Sequence, residues 1–293
     1  MKQPVYISAY LNQDTHKGLK YGMNVHEALY NINEIEVVEI QNHNNNVWCR
    51  DYMPIKASNG NLVQFNYAPS YMTGTKKWRE RIPIAEKIHE ELNLKSKIVK
   101  SEIILDGGAI DILGKKAILS DRVFRDNSER REKDIQEEIK FKLGLDQIIV
   151  IPQYPFDFTG HVDGLVRFID EKRVVVTNLD FELKSAKEEE NSYRRRLLEQ
   201  WYYAFKYTLL NTGLTLEQLP SSIPENCPVS SAEGIYTNFL LLNDLIIMPS
   251  YNKPEDEIAK EKLSILYKKP VKPIYATDLA KQGGMINCVT WTK

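Results

Sequence analysis

The sequence predicts an α/β fold, a single catalytic domain covering residues 1–293 and built as a ring of five ββαβ units whose ends pair to close it. Three observations predict this. Four stretches read as β-hairpins, each an apolar run, a polar turn and a second apolar run. A segment with apolar residues at helical spacing follows each hairpin. The two ends of the chain, taken together, supply a fifth unit of the same kind. Units of roughly 55 to 60 residues that cannot bury their own apolar faces pack around a common axis. Two unrelated α/β domains are the competing architecture.

The hairpins are expected at 52–67, 109–120, 165–178 and 238–250. Their turns carry Asn59-Gly60, Gly114-Lys115, Asp170-Glu171 and Asn243-Asp244, residue types that tolerate turn backbones. Helices are expected at about 78–93, 128–143, 189–211 and 255–267. Three of them lead to short apolar strands, "KIVKSEIIL", "QIIVIP" and "VKPIYA". The helix at 189–211 has no evident successor, and the segment from Leu214 to Val229 is the least legible. For the fifth unit, "MINCVTWT" pairs with "VYISAY", residues 21–33 form the helix and "IEVVEI" the last strand.

Composition narrows the function classes. With 42% hydrophobic and 27% charged residues, the chain has ample material for a core. A net charge of −1 offers no basic field to nucleic acid or to an anionic membrane. The run Arg194, Arg195, Arg196 lies in a Glu-rich helical stretch and reads as a solvated face. No apolar segment has the length of an export signal or a membrane span. Cys49, Cys227 and Cys288 form neither a CxxC pair nor an even disulfide set, so a reducing cytoplasm is expected. Cys49 and Cys227 read as small buried hydrophobes, and His16, His26, His43 and His89 as surface or satisfied core residues.

Polar residues recur at the head of each hairpin. These are Asp51, Asp106, the pair His161 and Asp163, Asn238 and Cys288. Equivalent strand ends of a ring face one centre, and strand alternation would turn both His161 and Asp163 toward it. Gly107-Gly108 and Gly283-Gly284 supply backbone free of side chains, as close approach or sharp turns require.

Several carboxylates in one pocket need a cation. Only one histidine joins this set, without HxxxH or Cys/His ligand spacing, so no metal is expected. A guanidinium fits better, being planar, permanently charged and matched to carboxylates two N–H groups at a time. Asp51 and Asp163 could grip it while Cys288 attacks its carbon and His161 moves protons. Trp48 could stack on the cation, wall the pocket or serve as a core residue.

In this order, "WCRDYMP", "LDGGAID", "GHVDGLVRF", "YTNFLLLN" and "GGMINCVTW" resemble the signature of the agmatine deiminase and Porphyromonas-type peptidylarginine deiminase family, over about residues 45–292. These are guanidino-group-modifying enzymes. The resemblance implies a five-fold pseudosymmetric α/β propeller (the pentein fold) and hydrolysis of a guanidino substrate to a ureido product and ammonia. For agmatine, the favoured substrate, the product is N-carbamoylputrescine, a step of putrescine biosynthesis. It implies Cys288 as nucleophile, His161 as proton donor and then base, and Asp106 holding His161. Asp51 and Asp163 would bind the guanidinium, with Asn238 lining the site near the thiol. No cofactor is implied.

Three features depart from the agmatine deiminase pattern. The start of the chain has no Trp-Glu-Pro segment, Asn287 replaces the usual histidine before the nucleophile, and Asp106 stands where some relatives have Glu. Peptidylarginine deimination to citrulline, amidino transfer and a non-catalytic guanidine-binding protein are the alternatives. A Cys/His peptidase fits poorly, because pocket carboxylates would repel its oxyanion. Tyr67, Tyr71, Lys76, Lys77 and Arg79 are positional candidates for reading the substrate's far end. A small-molecule guanidine is the expected partner, and a homo-oligomer remains open.

Overall fold

The computed structural model describes every residue except 1, 17, 42–43, 95–97, 225–226 and 229; His43 and part of the 214–229 segment thus lie outside the described residues. Fifteen strands among the described residues form five three-stranded sheets, and none of these closes on itself. Strand β1 (Gln3–Ser8) pairs in parallel with β2 (Ile35–Ile40). In the second sheet β3 (Ile55–Lys56), β4 (Leu62–Asn66) and β5 (Ile98–Ile104) follow in order. The third holds β6 (Ile110–Leu113), β7 (Lys116–Ser120) and β8 (Gln147–Ile151). The fourth holds β9 (Val166–Phe168), β10 (Arg173–Val176) and β11 (Thr215–Gln218). The fifth holds β12 (Leu240–Leu241), β13 (Ile246–Ser250) and β14 (Val271–Tyr275). Finally β15 (Thr290–Trp291) returns to β1, pairing antiparallel through Tyr6 with Trp291 and Ile7 with Thr290. Every sheet therefore has a central strand with one antiparallel and one parallel neighbour, as a hairpin followed by a helical crossover requires.

The central strands are mostly apolar because both of their faces are buried. In β1, Val5 and Ile7 enter a cluster with Ile247 and Ile274 of the fifth sheet, while Tyr6 joins Leu62 of the second. In β4, Val63 and Phe65 pack with Ala117 and Leu119 of β7, and Ile118 turns the other way to Val174 and Val176 of β10. Val175 in turn meets Ile246 and Met248 of β13. Five core clusters thus join each sheet to the next, and the fifth to the first. Full burial of one such side chain stabilises the fold by about 1.5–3 kcal/mol.

The predicted hairpins and the helix at 255–267 are present, with Gly60 and Gly114 at positive φ in their turns. Three local expectations change. The helix expected at 78–93 is two, Lys76–Arg79 and Ala85–Glu91, because Pro83 lacks the N–H a continuous helix needs. The helix at 189–211 begins at Ser192 and is preceded by another, Leu179–Glu188, started by Asn178, whose side chain accepts from the Phe181 amide. Its successor strand exists: β11 lies in the illegible stretch and pairs in parallel with β10. Among the described residues no helix is long and apolar enough to cross a membrane.

Candidate active site

The site residues of the five motifs lie in loops or single turns just before strands, and these segments are tied to one another by hydrogen bonds. The Arg50 amide donates to Cys288 O at 3.0 Å, and the Gly108 amide donates to Asp51 Oδ1 at 3.3 Å. Gly108 O accepts from the Val162 amide at 2.9 Å. The Thr237 hydroxyl donates to Gly164 O, and the Asn287 amide to Asn238 O at 3.3 Å. Each segment thus fixes the next and the last fixes the first. His161 and Asp163 lie in a turn before β9, so this stitching, and not strand alternation, brings them together.

Close approach explains the glycines. A Cβ on Gly108 would sit 2.5 Å from His161 Nδ1 and 2.9 Å from Asp51 Oδ1. On Gly284 it would sit 2.4 Å from the Trp48 ring. That ring packs against the core cluster of the first and fifth sheets, behind Gly284, which itself lines the cavity. Trp48 therefore supports the wall without lining it.

Both ring nitrogens of His161 face acids. Nε2 donates to Asp106 Oδ2 at 3.1 Å and Nδ1 is 3.7 Å from Asp51 Oδ1. Tyr71, expected at the substrate's far end, instead donates its hydroxyl to Asp106 Oδ2 at 2.6 Å. The other oxygen of Asp106 is buried without a hydrogen-bond partner. Burial alone would depress the basicity of His161, but the Asp51 charge and the hydrogen bonds with Asp106 and Cys288 outweigh it, holding the imidazole well above the ordinary histidine range. Burial pushes the Asp51 carboxyl up to about 7, with His161 opposing and the Asp106 and Asp163 charges adding.

Cys288 receives a hydrogen bond from Asn238 Nδ2 at 3.1 Å and lies 3.8 Å from Asp163 Oδ2. Asn287 donates its side-chain amide to that same Asp163 oxygen at 2.8 Å. Burial, then the Asp163 charge, push the thiol up to about 11 against the pull of His161. Burial and the Asp163 charge thus favour the thiol of Cys288 over the thiolate at neutral pH. Inactivation by iodoacetamide should be slow at about pH 7 and still accelerating at about pH 10. A rate that has levelled off near pH 7 would contradict this.

His161, Asp163, Asn238 and Cys288 open on one cavity of about 760 Å3. Asp51 and Asp106 do not line it; they stand against His161. A second cavity of about 400 Å3, walled partly by Arg50, Arg167 and Lys56, shares Asp163 but neither Cys288 nor His161. Of the other expected far-end readers, Tyr67 is buried and Lys76, Lys77 and Arg79 are exposed, and none lines the larger cavity. Cys227 does line it and is half-buried, unlike the fully buried Cys49. Arg194 is no bare solvated charge: it pairs with Glu189 at 3.0 Å and lies 4.1 Å over the Phe156 ring. His26 pairs with Glu39 and His89 with Gln64, as satisfied residues do. Among the described residues no group of His, Cys, Asp and Glu side chains could hold a metal ion.

The family model for the Porphyromonas-type peptidyl-arginine deiminases matches residues 2–293. The chain belongs to this family. It is therefore a hydrolase of carbon–nitrogen bonds in amidines. A Mycoplasma capricolum protein named "Putative agmatine deiminase" is 24% identical over 90% of this chain and 79% of its own length. The solved structure of C. jejuni agmatine deiminase superposes with a TM-score of 0.71 at 21% identity, covering 100% of this chain and 93% of that one. A dimethylarginine dimethylaminohydrolase superposes with a TM-score of 0.60 at 13% identity, covering both chains fully. These likenesses place the chain in the pentein fold.

Proposed function

We propose that the protein is an agmatine deiminase, converting agmatine and water to N-carbamoylputrescine and ammonia. One observation carries this reading: the cavity that holds Cys288, His161 and Asp163 is lined by five carboxylates, Asp157, Asp163, Glu182, Glu188 and Glu189, against Lys184, Arg194 and the protonated His161. Lys184 and Arg194 already sit beside glutamates, at 3.8 and 3.0 Å, and His161 stands against Asp51 and Asp106. Such a lining favours a substrate positive at both ends and repels the carboxylate of arginine or of a peptide terminus. The agmatine deiminase names of the relatives agree.

The site residues then have these roles. Asp163, in the cavity wall, carries the charge that the guanidinium answers, and Asp51 adds to it from behind His161. Its arrival beside Cys288 favours the thiolate, whose proton leaves to solvent, and sulfur bonds to the guanidinium carbon. Protonated His161 gives its proton to the departing nitrogen, the C–N bond breaks, and ammonia leaves a thiouronium bound to Cys288. Neutral His161 next takes a proton from water, whose oxygen bonds to the carbon. The new hydroxyl gives its proton to solvent as the C–S bond breaks, returning the thiolate and the ureido product. Asp106, held by Tyr71, orients His161, and Asn238 positions the sulfur. The five like-built sheets and their cyclic core clusters support a five-fold propeller closed by β1 and β15, acting as a single catalytic domain.

An ammonia-release screen over agmatine, free arginine, peptides ending in arginine and small guanidines tests the reading. Agmatine should be turned over with the highest kcat/KM. Preference for a peptide arginine would instead favour citrulline formation, and failure of labelled water to supply the ureido oxygen would favour amidino transfer.

A further inference from the structure

Glu182, an acid of the cavity wall, forms no ion pair among the described residues. Glu182 lies in the helix Leu179–Glu188, is 9% exposed and lines the same cavity as Cys288. The Tyr154 hydroxyl donates to its Oε2 at 3.2 Å. Tyr154 is itself braced edge-on against Trp201, ring centres 4.7 Å apart, and the Trp201 indole donates to Pro152 O at 3.2 Å. The carboxylate is thus held in place by a rigid aromatic support. Lys184 and Arg194 are paired elsewhere, and among the described residues no lysine, arginine or histidine forms an ion pair with Glu182. Burial with only Tyr154 as partner pushes its carboxyl up to about 7, which shows how poorly its charge is compensated. The rings of Phe156, Phe158 and Phe181 lie in the same wall and suit an aliphatic chain.

We propose that Glu182, held by Tyr154, is the subsite for the substrate's far end, accepting a primary ammonium joined by a short methylene chain to the guanidinium at Asp163 and Cys288. This rests on the guanidine-hydrolase reading and adds the residue that selects an amine over an α-carboxylate. An ammonium there restores the missing counter-charge through a charge-assisted hydrogen bond, while a carboxylate would face an uncompensated acid.

Butylguanidine, which is agmatine without its amine, isolates the contact. In the native protein kcat/KM for agmatine should exceed that for butylguanidine by about 10- to 100-fold, and Glu182→Gln should remove most of that preference through KM for agmatine. Tyr154→Phe should reduce it by a smaller factor. Turnover of butylguanidine by each variant shows that the variant is folded. If both compounds are hydrolysed but the preference survives in Glu182→Gln, or native protein shows none, the subsite is overturned while the hydrolase reading stands. A Glu182→Gln protein inactive on both compounds would also overturn it, since a far-end subsite must spare the shorter substrate. If the native protein releases ammonia from neither compound, the hydrolase reading falls and the subsite with it.

Discussion

Cys288→Ala should abolish ammonia release, with a loss on the order of 10⁴-fold or more in kcat, about 5.5 kcal/mol of barrier. No neighbouring group replaces the sulfur: Asn238 and Asp163, its contacts at 3.1 and 3.8 Å, are an amide and a carboxylate, neither able to form the thiouronium. The substitution removes one small buried atom, so the far-ultraviolet circular dichroism should be native. Agmatine should still bind by calorimetry, because Asp163 remains. Retained turnover would remove Cys288 from the chemistry, and binding without turnover in the native protein itself would favour a guanidine-binding protein.

His161→Gln should lower kcat by about 10²- to 10⁴-fold, the span of a lost acid–base group. It should also alter stability in a pH-dependent way. His161 is held well above its ordinary range in the folded protein, so its charge contributes stability that is fully present below about pH 6.5 and is lost as pH rises through the folded value. Asp51, pushed up to about 7, acts in the same direction: its protonated form favours the fold, and that contribution fades as pH rises through about 7. Thermal unfolding from about pH 6 to 10 should show native Tm declining, with a shallower decline in the variant. Equal slopes would mean that His161 is not charged by its acids. The variant should be less stable than native near neutrality as well, because Asp51 and Asp106 lose the cation between them.

Much of the site is legible in the sequence. The polar heads of the hairpins lie 55, 55, 77 and 50 residues apart from Asp51 to Cys288, and those segments do meet. Strand alternation does not account for His161 and Asp163, since a turn and not a strand carries them. Position points Tyr71 to the wrong end of the substrate and says nothing of Asn287, because each meets the site through another side chain: Tyr71 bonds Asp106 and Asn287 bonds Asp163. Neither motif spacing nor residue type announces such a partner. Glu182 carries no signal at all, being one of several acids on a helix that the periodicity does not separate from its neighbour. The strand β11 is hidden because "TLEQ" holds a single apolar residue, too little for the apolar run or the alternation that marks a strand.

What the sequence determined by itself is the repeat. The valine run Val174, Val175 and Val176 of the central strand β10 is buried on both faces, and that burial is written in residue type. A proline or a turn pair acts on its own few residues, so Pro83 and Asn59-Gly60 also speak locally. Only the tertiary structure decided which polar atoms face each other: His161 between Asp106 and Asp51, sulfur beside Asn238, and Glu182 on the cavity wall. Those pairings span 50 residues of chain or more and depend on how five loops lock together. A carboxylate's charge is the same wherever it stands; its partner is set by packing.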